Sequence, residues 1–261
     1  SHADYPALVK YGDSYDVRGG GQFSGRLTAP LCFAGALALQ LLEQRGVLIA
    51  AHIDRIAEIA DTAPDFAAVD RADLEALLKK PFPVFDDDAG MAMRQLIEAA
   101  RMDQDSLGGV IRCFALGLPA GLGQPMFGGV ENRLAAALFG IPAVRGVSFG
   151  EGFAAAGMRG SQHNDPYVTD SGTVKTKTNH AGGVLGGMTT GMPLVVNLCV
   201  KPTASISREQ ETVDLETMEN TSLVIRGRHD PCIVPRAVPV AEAVTALTLL
   251  DMIWEENETW S

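Results

Sequence analysis

The sequence is short of positive charge. Its 261 residues include 21 lysine and arginine against 32 aspartate and glutamate, a formal net charge of -11. A chain this acidic is repelled by the phosphates of nucleic acids and by anionic membrane surfaces. The composition therefore argues against nucleic acid or a membrane as the main partner. It does not exclude a small anionic substrate, because a local cluster of arginine and lysine can oppose the overall field.

Long apolar runs and paired cysteines are also missing. No apolar run reaches about 18 residues, and the N-terminus does not have the charged-then-apolar pattern of a signal peptide. The four cysteines are Cys32, Cys113, Cys199 and Cys232. They form no C-x-x-C pair, and three of them lie in apolar runs. We therefore expect buried, reduced thiols and a cytoplasmic protein.

Common nucleotide and metal motifs are absent as well. There is no Walker A loop, and the glycine-rich stretch at residues 121–126 lacks the third glycine of a dinucleotide fingerprint. The histidines do not have the spacing of metal ligands: they are His2, His52, His163, His180 and His229. We expect no bound metal.

Segments typical of strands and helices alternate loosely along the chain, which predicts an α+β class built from packed layers. Strands are predicted at residues 47–53, 110–116, 143–149 and 194–200, with one or two more in 213–225. Helices are predicted at residues 31–42, 89–102 and 131–139, and from Pro239 to about residue 254. The first of these helices is apolar on nearly every side, so we expect it to be deeply buried. No linker is evident, so residues 1–261 are interpreted as one domain.

One short motif suggests a hydrolase. Gly146-Val147-Ser148-Phe149-Gly150 fits G-x-S-x-G, the turn that carries the nucleophilic serine between a strand and a helix. Glu151 and Gly152 follow it, and glycine begins helices poorly. A turn that ends a strand is the favoured interpretation, and a serine hydrolase that uses Ser148 is the alternative.

The segment from Arg18 to Arg26 combines two arginines and Ser24 with three consecutive glycines. Glycine-rich backbone can present N–H groups to a phosphate, and arginine adds paired donors. The segment is therefore either an anion site or an ordinary turn.

Two further polar segments follow predicted strands. Lys201-Pro202-Thr203-Ala204-Ser205 could hold a phosphate or the polar edge of a flavin, or could be an exposed loop. In the second segment, Arg228, His229 and Asp230 offer an anion clamp and two acid–base candidates between Gly227 and Pro231. The alternative for this segment is a structural turn closed by an ion pair.

In chain order, these segments together resemble the blocks of the chorismate synthase family. Each block alone is modest, but together they are specific and cover essentially the whole chain. They lie at residues 1–5, 18–21, 105–109, 117–123, 141–144, 178–183, 201–203, 227–232 and 236–239.

The resemblance implies a β-α-β sandwich fold, a homotetramer, reduced FMN as cofactor and an association with NADP. It implies an anti 1,4-elimination that converts 5-enolpyruvylshikimate 3-phosphate to chorismate and phosphate without net redox change. This reaction belongs to the shikimate pathway, which leads to the aromatic amino acids.

Site residues are also implied by the resemblance. His2 is similar to the histidine that keeps the flavin correctly protonated, and Asp230 to the aspartate that helps remove the substrate proton through flavin N5. Arg26 is similar to a substrate-binding arginine. The implied flavin contacts are Gln22, Phe23, Ser24, Pro142, Ala143, Gly186, Lys201, Pro202, Thr203, Ala204, Ser205 and Arg228.

The chain departs from the family pattern in two places. Many members have Arg-Ser-Ser-Ala-Arg where this chain has Gln22-Phe23-Ser24-Gly25-Arg26, which removes one cation and one hydroxyl. The family's Gly-Glu-Ser-His-Gly motif is absent, and with it a second catalytic histidine and further substrate arginines. The chain opens Ser1-His2 without a methionine, so we interpret it as N-terminally incomplete. It is then either part of an active lyase or, alone, a catalytically incompetent flavin-binding or assembly module.

Overall fold

The structure is a computed structural model that describes residues 2–16, 20–62, 64–227 and 229–259, with side chains described up to residue 256. Helices and antiparallel strands mix along the chain, which confirms the α+β class. The helices are α1 (Asp4–Tyr11), α2 (Thr28–Glu43), α3 (Arg71–Leu77), α4 (Asp87–Met102), α5 (Val130–Leu138), α6 (Gly160–His163) and α7 (Val234–Thr259). The strands are β1 (Leu48–Ile56), β2 (Ile59–Ala60), β3 (Gly109–Leu116), β4 (Ala120–Gly123), β5 (Val144–Phe149), β6 (Tyr167–Asp170), β7 (Thr173–Thr176), β8 (Val184–Leu185), β9 (Met188–Thr190), β10 (Leu194–Val200), β11 (Gln210–Asp214) and β12 (Glu219–Leu223).

The main sheet has five antiparallel strands in the order β2-β1-β3-β10-β5. Val200, the last residue of β10, pairs with Gly109 of β3 and with Val144 of β5. Because neighbouring strands run in opposite directions, the end of β10 lies beside the beginnings of β3 and β5. The loops attached there are brought to one end of the sheet.

Two glycines allow the backbones to approach closely at this end. A Cβ on Gly109 would lie 2.1 Å from the carbonyl oxygen of Arg55, and one on Gly108 would lie 2.6 Å from that of Val200. These positions therefore accept no larger residue without a shift of the backbone.

The sheet is covered on both faces, as the alternation of its side chains requires. Helix α7 packs against β1, β3 and α2, and forms the larger core with Ile49, Ile53 and their neighbours. On the opposite face, Phe114 and Val195 pack with Leu74 of α3. The core is therefore layered as helices, sheet and then α3 with its flanking loops.

Helix α2 contradicts the expectation of deep burial. Only Gly35, Ala38 and Leu42 are fully buried in it, whereas Phe33 is 75% exposed. Its packed side contacts α7 so closely that a Cβ on Gly35 would lie 2.3 Å from the Cβ of Ala243. The described residues cover one side of the helix and leave the other apolar side open.

Two helical segments are long and apolar enough to cross a membrane when judged by length and composition alone. They are Gly25–Glu43, 17% buried, and Val234–Glu256, 56% buried. Core helices of proteins outside membranes meet the same criteria, so this finding is weak evidence for a membrane span.

Strand β10 coincides with its predicted range, but other elements differ from prediction. Pro239 does not open the last helix: α7 begins at Val234 and contains Pro239 in its interior. Residues 117–129 and 150–181, in which no strand was predicted, contain β4 and the β6–β7 hairpin respectively. Strand β4 pairs with the distant β9, which local sequence does not reveal, whereas β6 and β7 pair with each other across the turn at Ser171-Gly172.

All four cysteines are free thiols, as predicted. Cys113 and Cys232 are buried and Cys32 is partly buried, but Cys199 is exposed, so the expectation of burial is wrong for that residue. Burial raises the pKa of the Cys113 and Cys232 thiols. Both are therefore poor nucleophiles.

A buried histidine–aspartate pair fastens β1 to the start of α4. The side chains of His52 and Asp61 are fully buried, and His52 Nδ1 donates to Asp61 Oδ2 at 2.8 Å. The backbone N–H groups of Phe85 and Asp86 donate to the same carboxylate at 2.7 and 2.9 Å. Burial alone would raise the pKa of Asp61, but these hydrogen bonds together outweigh it and lower the pKa.

We predict that Asp61→Asn lowers the free energy of unfolding by about 2–4 kcal/mol at pH 7, because an amide cannot accept all of these hydrogen bonds. The pKa of Asp61 is lower in the folded protein than in the unfolded chain, where it is about 3.9. The carboxylate therefore stabilises the fold fully at pH values above about 3.9, and this contribution is lost as the pH falls through the folded-state pKa. Urea unfolding at several pH values measures the difference. The exposed Asp103→Asn is the control; equal effects of the two variants would contradict the prediction.

Candidate functional site

A cavity of about 1100 Å³ opens at the end of the sheet where β10 ends and β3 and β5 begin. Its volume is slightly above the usual range for small-molecule sites, about 300–1,000 Å³. Parts of the chain that are distant in sequence line it, at residues 2–3, 22–28, 140–143, 201–204 and 229–240.

The loops at the strand ends form one wall. The backbone N–H of Lys201 donates to the carbonyl of Ala143 at 2.9 Å, which joins the loop after β10 to the loop before β5. Ser106 Oγ donates to the carbonyl of Thr203 at 2.7 Å and anchors the loop from the β3 side. Ala143 has a φ of +73°, a strained conformation of the kind that clusters at functional sites.

The loop that carries Asp230 is tied to the same end of the sheet. The backbone N–H of Leu107 donates to the carbonyl of Pro231 at 2.7 Å, and Leu107 forms a parallel bridge with Cys232. Asp230 therefore stands in the cavity wall just before α7. Asp230 also forms an ion pair with a residue outside its own segment: Asp230 Oδ2 lies 3.0 Å from Nη1 of Arg236.

The segment before α2 forms another part of the cavity wall. It contains two short 3₁₀ turns, Gly21–Phe23 and Gly25–Leu27, and Ser24 Oγ accepts from the backbone N–H of Arg26 at 3.3 Å. His2 lies against this segment, since a Cβ on Gly20 would be 3.5 Å from His2 Cε1.

The cavity is electropositive in an acidic protein. Its described lining carries the cations Arg26, Lys201 and Arg236 against one carboxylate, Asp230. Residues at the N-terminal ends of α2 and α7 also line it, and the N-terminal end of a helix carries partial positive charge. This arrangement is suited to an anionic ligand.

Most of the residues proposed from sequence line this cavity. They are His2, Gln22, Phe23, Ser24, Arg26, Pro142, Ala143, Lys201, Pro202, Thr203, Ala204 and Asp230. Ser205 follows directly but does not line the cavity, and Arg228 lies outside the described residues. Gly186 lies elsewhere, in the turn between β8 and β9 with a φ of +62°.

Sequence reasoning missed part of the lining. The missed residues are Ala3, Gly25, Thr28, Gly140, Ile141, Ile233, Arg236, Ala237 and Val240, whereas His229, an acid–base candidate from the sequence, does line the cavity. Four of them, at positions 233, 236, 237 and 240, have the spacing of one helix face. This spacing is visible in the sequence, but a helix predicted to start at Pro239 excludes positions 233, 236 and 237.

The structure contradicts the nucleophile-elbow interpretation. Ser148 lies within β5, one residue before its end, and no α-helix follows directly. Ser148 Oγ accepts from Asn197 Nδ2 at 3.4 Å, and no histidine among the described residues hydrogen-bonds to it.

The described residues contain no group of three or more histidine, cysteine, aspartate or glutamate side chains that could hold a metal ion.

The chemistry of the cavity fits the flavin mononucleotide implied by the resemblance. Thr203 Oγ1 is buried and has no hydrogen-bond partner among the described residues. A Cβ on Gly25 would meet no atom within 4 Å, so space is open beside the backbone there. The cations suit the cofactor's phosphate, and Ile233 and Val240 offer an apolar surface for its ring system.

Comparison with known proteins gives a consistent result. A sequence model of the family named Chorismate synthase matches residues 1–254. The chorismate synthase of Korarchaeum cryptofilum is 46% identical over 252 residues, which cover 97% of this chain and 69% of that protein. That of Thermococcus gammatolerans is 49% identical over 251 residues, covering 96% and 68%. A crystal structure of a chorismate synthase superposes with a TM-score of 0.79 at 26% identity, covering 97% of this chain and 70% of that one.

Proposed function

The chain belongs to the chorismate synthase family, and from this premise we propose that it carries out the elimination of phosphate from 5-enolpyruvylshikimate 3-phosphate to give chorismate. Membership makes it an enzyme, a carbon–oxygen lyase that acts on phosphates. The proposal depends chiefly on one observation: His2, Ser24, Lys201 and Asp230, far apart in sequence, line a single cavity.

The charges in the cavity support a substrate of this kind. 5-Enolpyruvylshikimate 3-phosphate carries two carboxylates and a phosphate, and three cations line the cavity. Arginine binds carboxylate and phosphate through paired hydrogen bonds. We propose that Arg26 contacts the substrate.

We propose reduced FMN as the cofactor, held by the segments at residues 22–24, 142–143 and 201–205 and by Arg228. When bound, it supplies electron density transiently as phosphate leaves, without net redox change. The loop after β10 and the residues at positions 142–143 are joined by a backbone hydrogen bond, so they would hold the cofactor as one rigid wall. Gln22, Phe23 and Ser24 would contact it from another part of the cavity wall.

The proton lost in the elimination needs an acceptor near the substrate. Asp230 is the carboxylate in the described lining of the cavity, and the Leu107–Pro231 hydrogen bond fixes its loop. We assign to Asp230 a part in removing the substrate proton through flavin N5, and to His2 the maintenance of the flavin's protonation state.

Asp230→Ala is expected to slow the chemical step far more than it weakens FMN binding, because the carboxylate acts on the proton rather than on cofactor affinity. Anaerobic turnover of 5-enolpyruvylshikimate 3-phosphate with reduced FMN measures the first quantity, and flavin fluorescence titration measures the second. The exposed Asp103→Ala serves as control. Losses of equal size in rate and affinity would argue against a role in proton transfer.

His2→Ala is expected to lower the rate by about 10- to 10³-fold, within or just below the range of general acid–base contributions. The same anaerobic assay measures it. His163→Ala, outside this cavity, controls for the loss of an imidazole. A rate equal to that of the unmodified protein would remove His2 from the mechanism.

The second candidate is a catalytically incompetent flavin-binding or assembly module. The chain spans 68–69% of the length of the two relatives described above. The two candidates separate in one experiment on protein whose intact mass has been measured. Turnover with reduced FMN supports the lyase, and FMN binding without turnover supports the module.

We also propose a cytoplasmic homotetramer. Exposed apolar side chains on the β6–β7 and β11–β12 hairpins support it, including Tyr167, Val174, Val213 and Met218, since isolated two-stranded hairpins are marginal in water. Gly186 does not line this protomer's cavity, so an implied flavin contact there would have to reach the cavity of a neighbouring copy.

Light scattering after gel filtration is expected to give four times the chain mass of 27.6 kDa. Association buries the apolar hairpin side chains, and Val174→Lys or Met218→Lys should therefore weaken it. Lys177→Glu, a charge change just beyond β7, is the control. A monomer at micromolar concentration would refute the tetramer.

A further inference from the structure

Arg236 is a charged residue of the cavity that the roles above leave unassigned. It lies in the first turn of α7, where its backbone N–H donates to the carbonyl of Ile233 at 3.0 Å. Its Nη1 lies 3.0 Å from Oδ2 of Asp230. Both side chains line the same cavity.

The two partners are held by separate anchors. Asp230 precedes Pro231, whose carbonyl is bonded to the β3 side of the sheet through Leu107. Arg236 belongs to a helix whose buried residues form the main core. The ion pair therefore fixes the carboxylate between two rigid elements.

The exposure of the pair argues against a role in stability. The side chains of Asp230 and Arg236 are 34% and 76% exposed. Ion pairs this exposed contribute little to folding. The consequence of the contact is local: it restricts the orientation of one carboxylate.

We propose that Arg236 is a positioning residue for Asp230: it orients the carboxylate that helps to remove the substrate proton. The inference rests on the proposed function of Asp230. By binding Oδ2, Arg236 leaves Oδ1 as the oxygen to receive the proton. A misplaced acceptor is costly because proton transfer requires hydrogen-bond distance to the donor.

The test uses Arg236→Gln and Arg236→Lys, with Arg208→Gln as matched control. Arg208 also pairs with an aspartate, Asp105, at 2.8 Å, but this pair lies outside the cavity. We expect Arg236→Gln to lower kcat by about 10-fold with a smaller change in KM, and Arg236→Lys to restore most of the loss. Arg208→Gln should behave like the unmodified protein.

A double-mutant cycle with Asp230→Asn separates positioning from direct substrate binding. If Arg236 acts through Asp230, Arg236→Gln should change kcat by less than about 2-fold in the Asp230→Asn background. A full 10-fold loss there, or a loss confined to KM, would show that Arg236 contacts the substrate itself and would overturn the proposal.

A readout without turnover keeps this inference apart from the proposed function. Crystal structures of the ligand-free protein should show Asp230 rotated from its present orientation in Arg236→Gln and retained in Arg236→Lys. An unchanged carboxylate in Arg236→Gln would overturn the positioning role. If the unmodified protein fails to turn over the substrate, the proposed function fails, whereas these structures still decide whether Arg236 orients Asp230.

Discussion

The site depends on one constraint of the sheet: β10 ends where both of its antiparallel neighbours begin. Val200 pairs with Gly109 on one side and Val144 on the other, so three loops leave the sheet at the same place. No single loop could form a cavity of this size. The loop that carries Asp230 joins them because the backbone N–H of Leu107, just before β3, donates to the carbonyl of Pro231. This contact brings Asp230 to the same end of the sheet.

The same arrangement explains how an acidic protein can hold an anion. The chain carries a net charge of -11, yet the described cavity lining contains Arg26, Lys201 and Arg236 against Asp230 alone. The close contact of Gly35 with Ala243 sets α2 tightly beside α7, and residues at the N-terminal ends of both helices line the cavity. Folding therefore brings three cations that are far apart in the sequence into one cavity, although the chain as a whole is acidic.

Local sequence predicted the parts of the fold that local chemistry determines. Residues 194–200 are recognisable as a strand from their β-branched content, and the helix predicted at residues 89–102 forms as α4 with Asp86 as its N-cap. The loops of the site could be identified because glycine, proline and charged residues recur there in a family pattern. Arg236 was missed because Pro239 suggested a later start for α7, whereas packing along the helix tolerates that proline. Strand pairing, and the position of Gly186 away from the cavity, depend on tertiary contacts that no local pattern contains.

The exposed side of α2 connects the fold to the question of activity. Residues 27–42 contain no charged side chain, and Phe33 is largely exposed, which is unfavourable for a surface helix. Helix α7 makes the contacts with the main sheet, whereas α2 packs mainly against α7. Ser24 and Arg26 lie just before this helix and form one wall of the cavity. The close packing of α2 on α7 therefore also holds this wall in place, so the positions of Ser24 and Arg26 depend on the core of the fold.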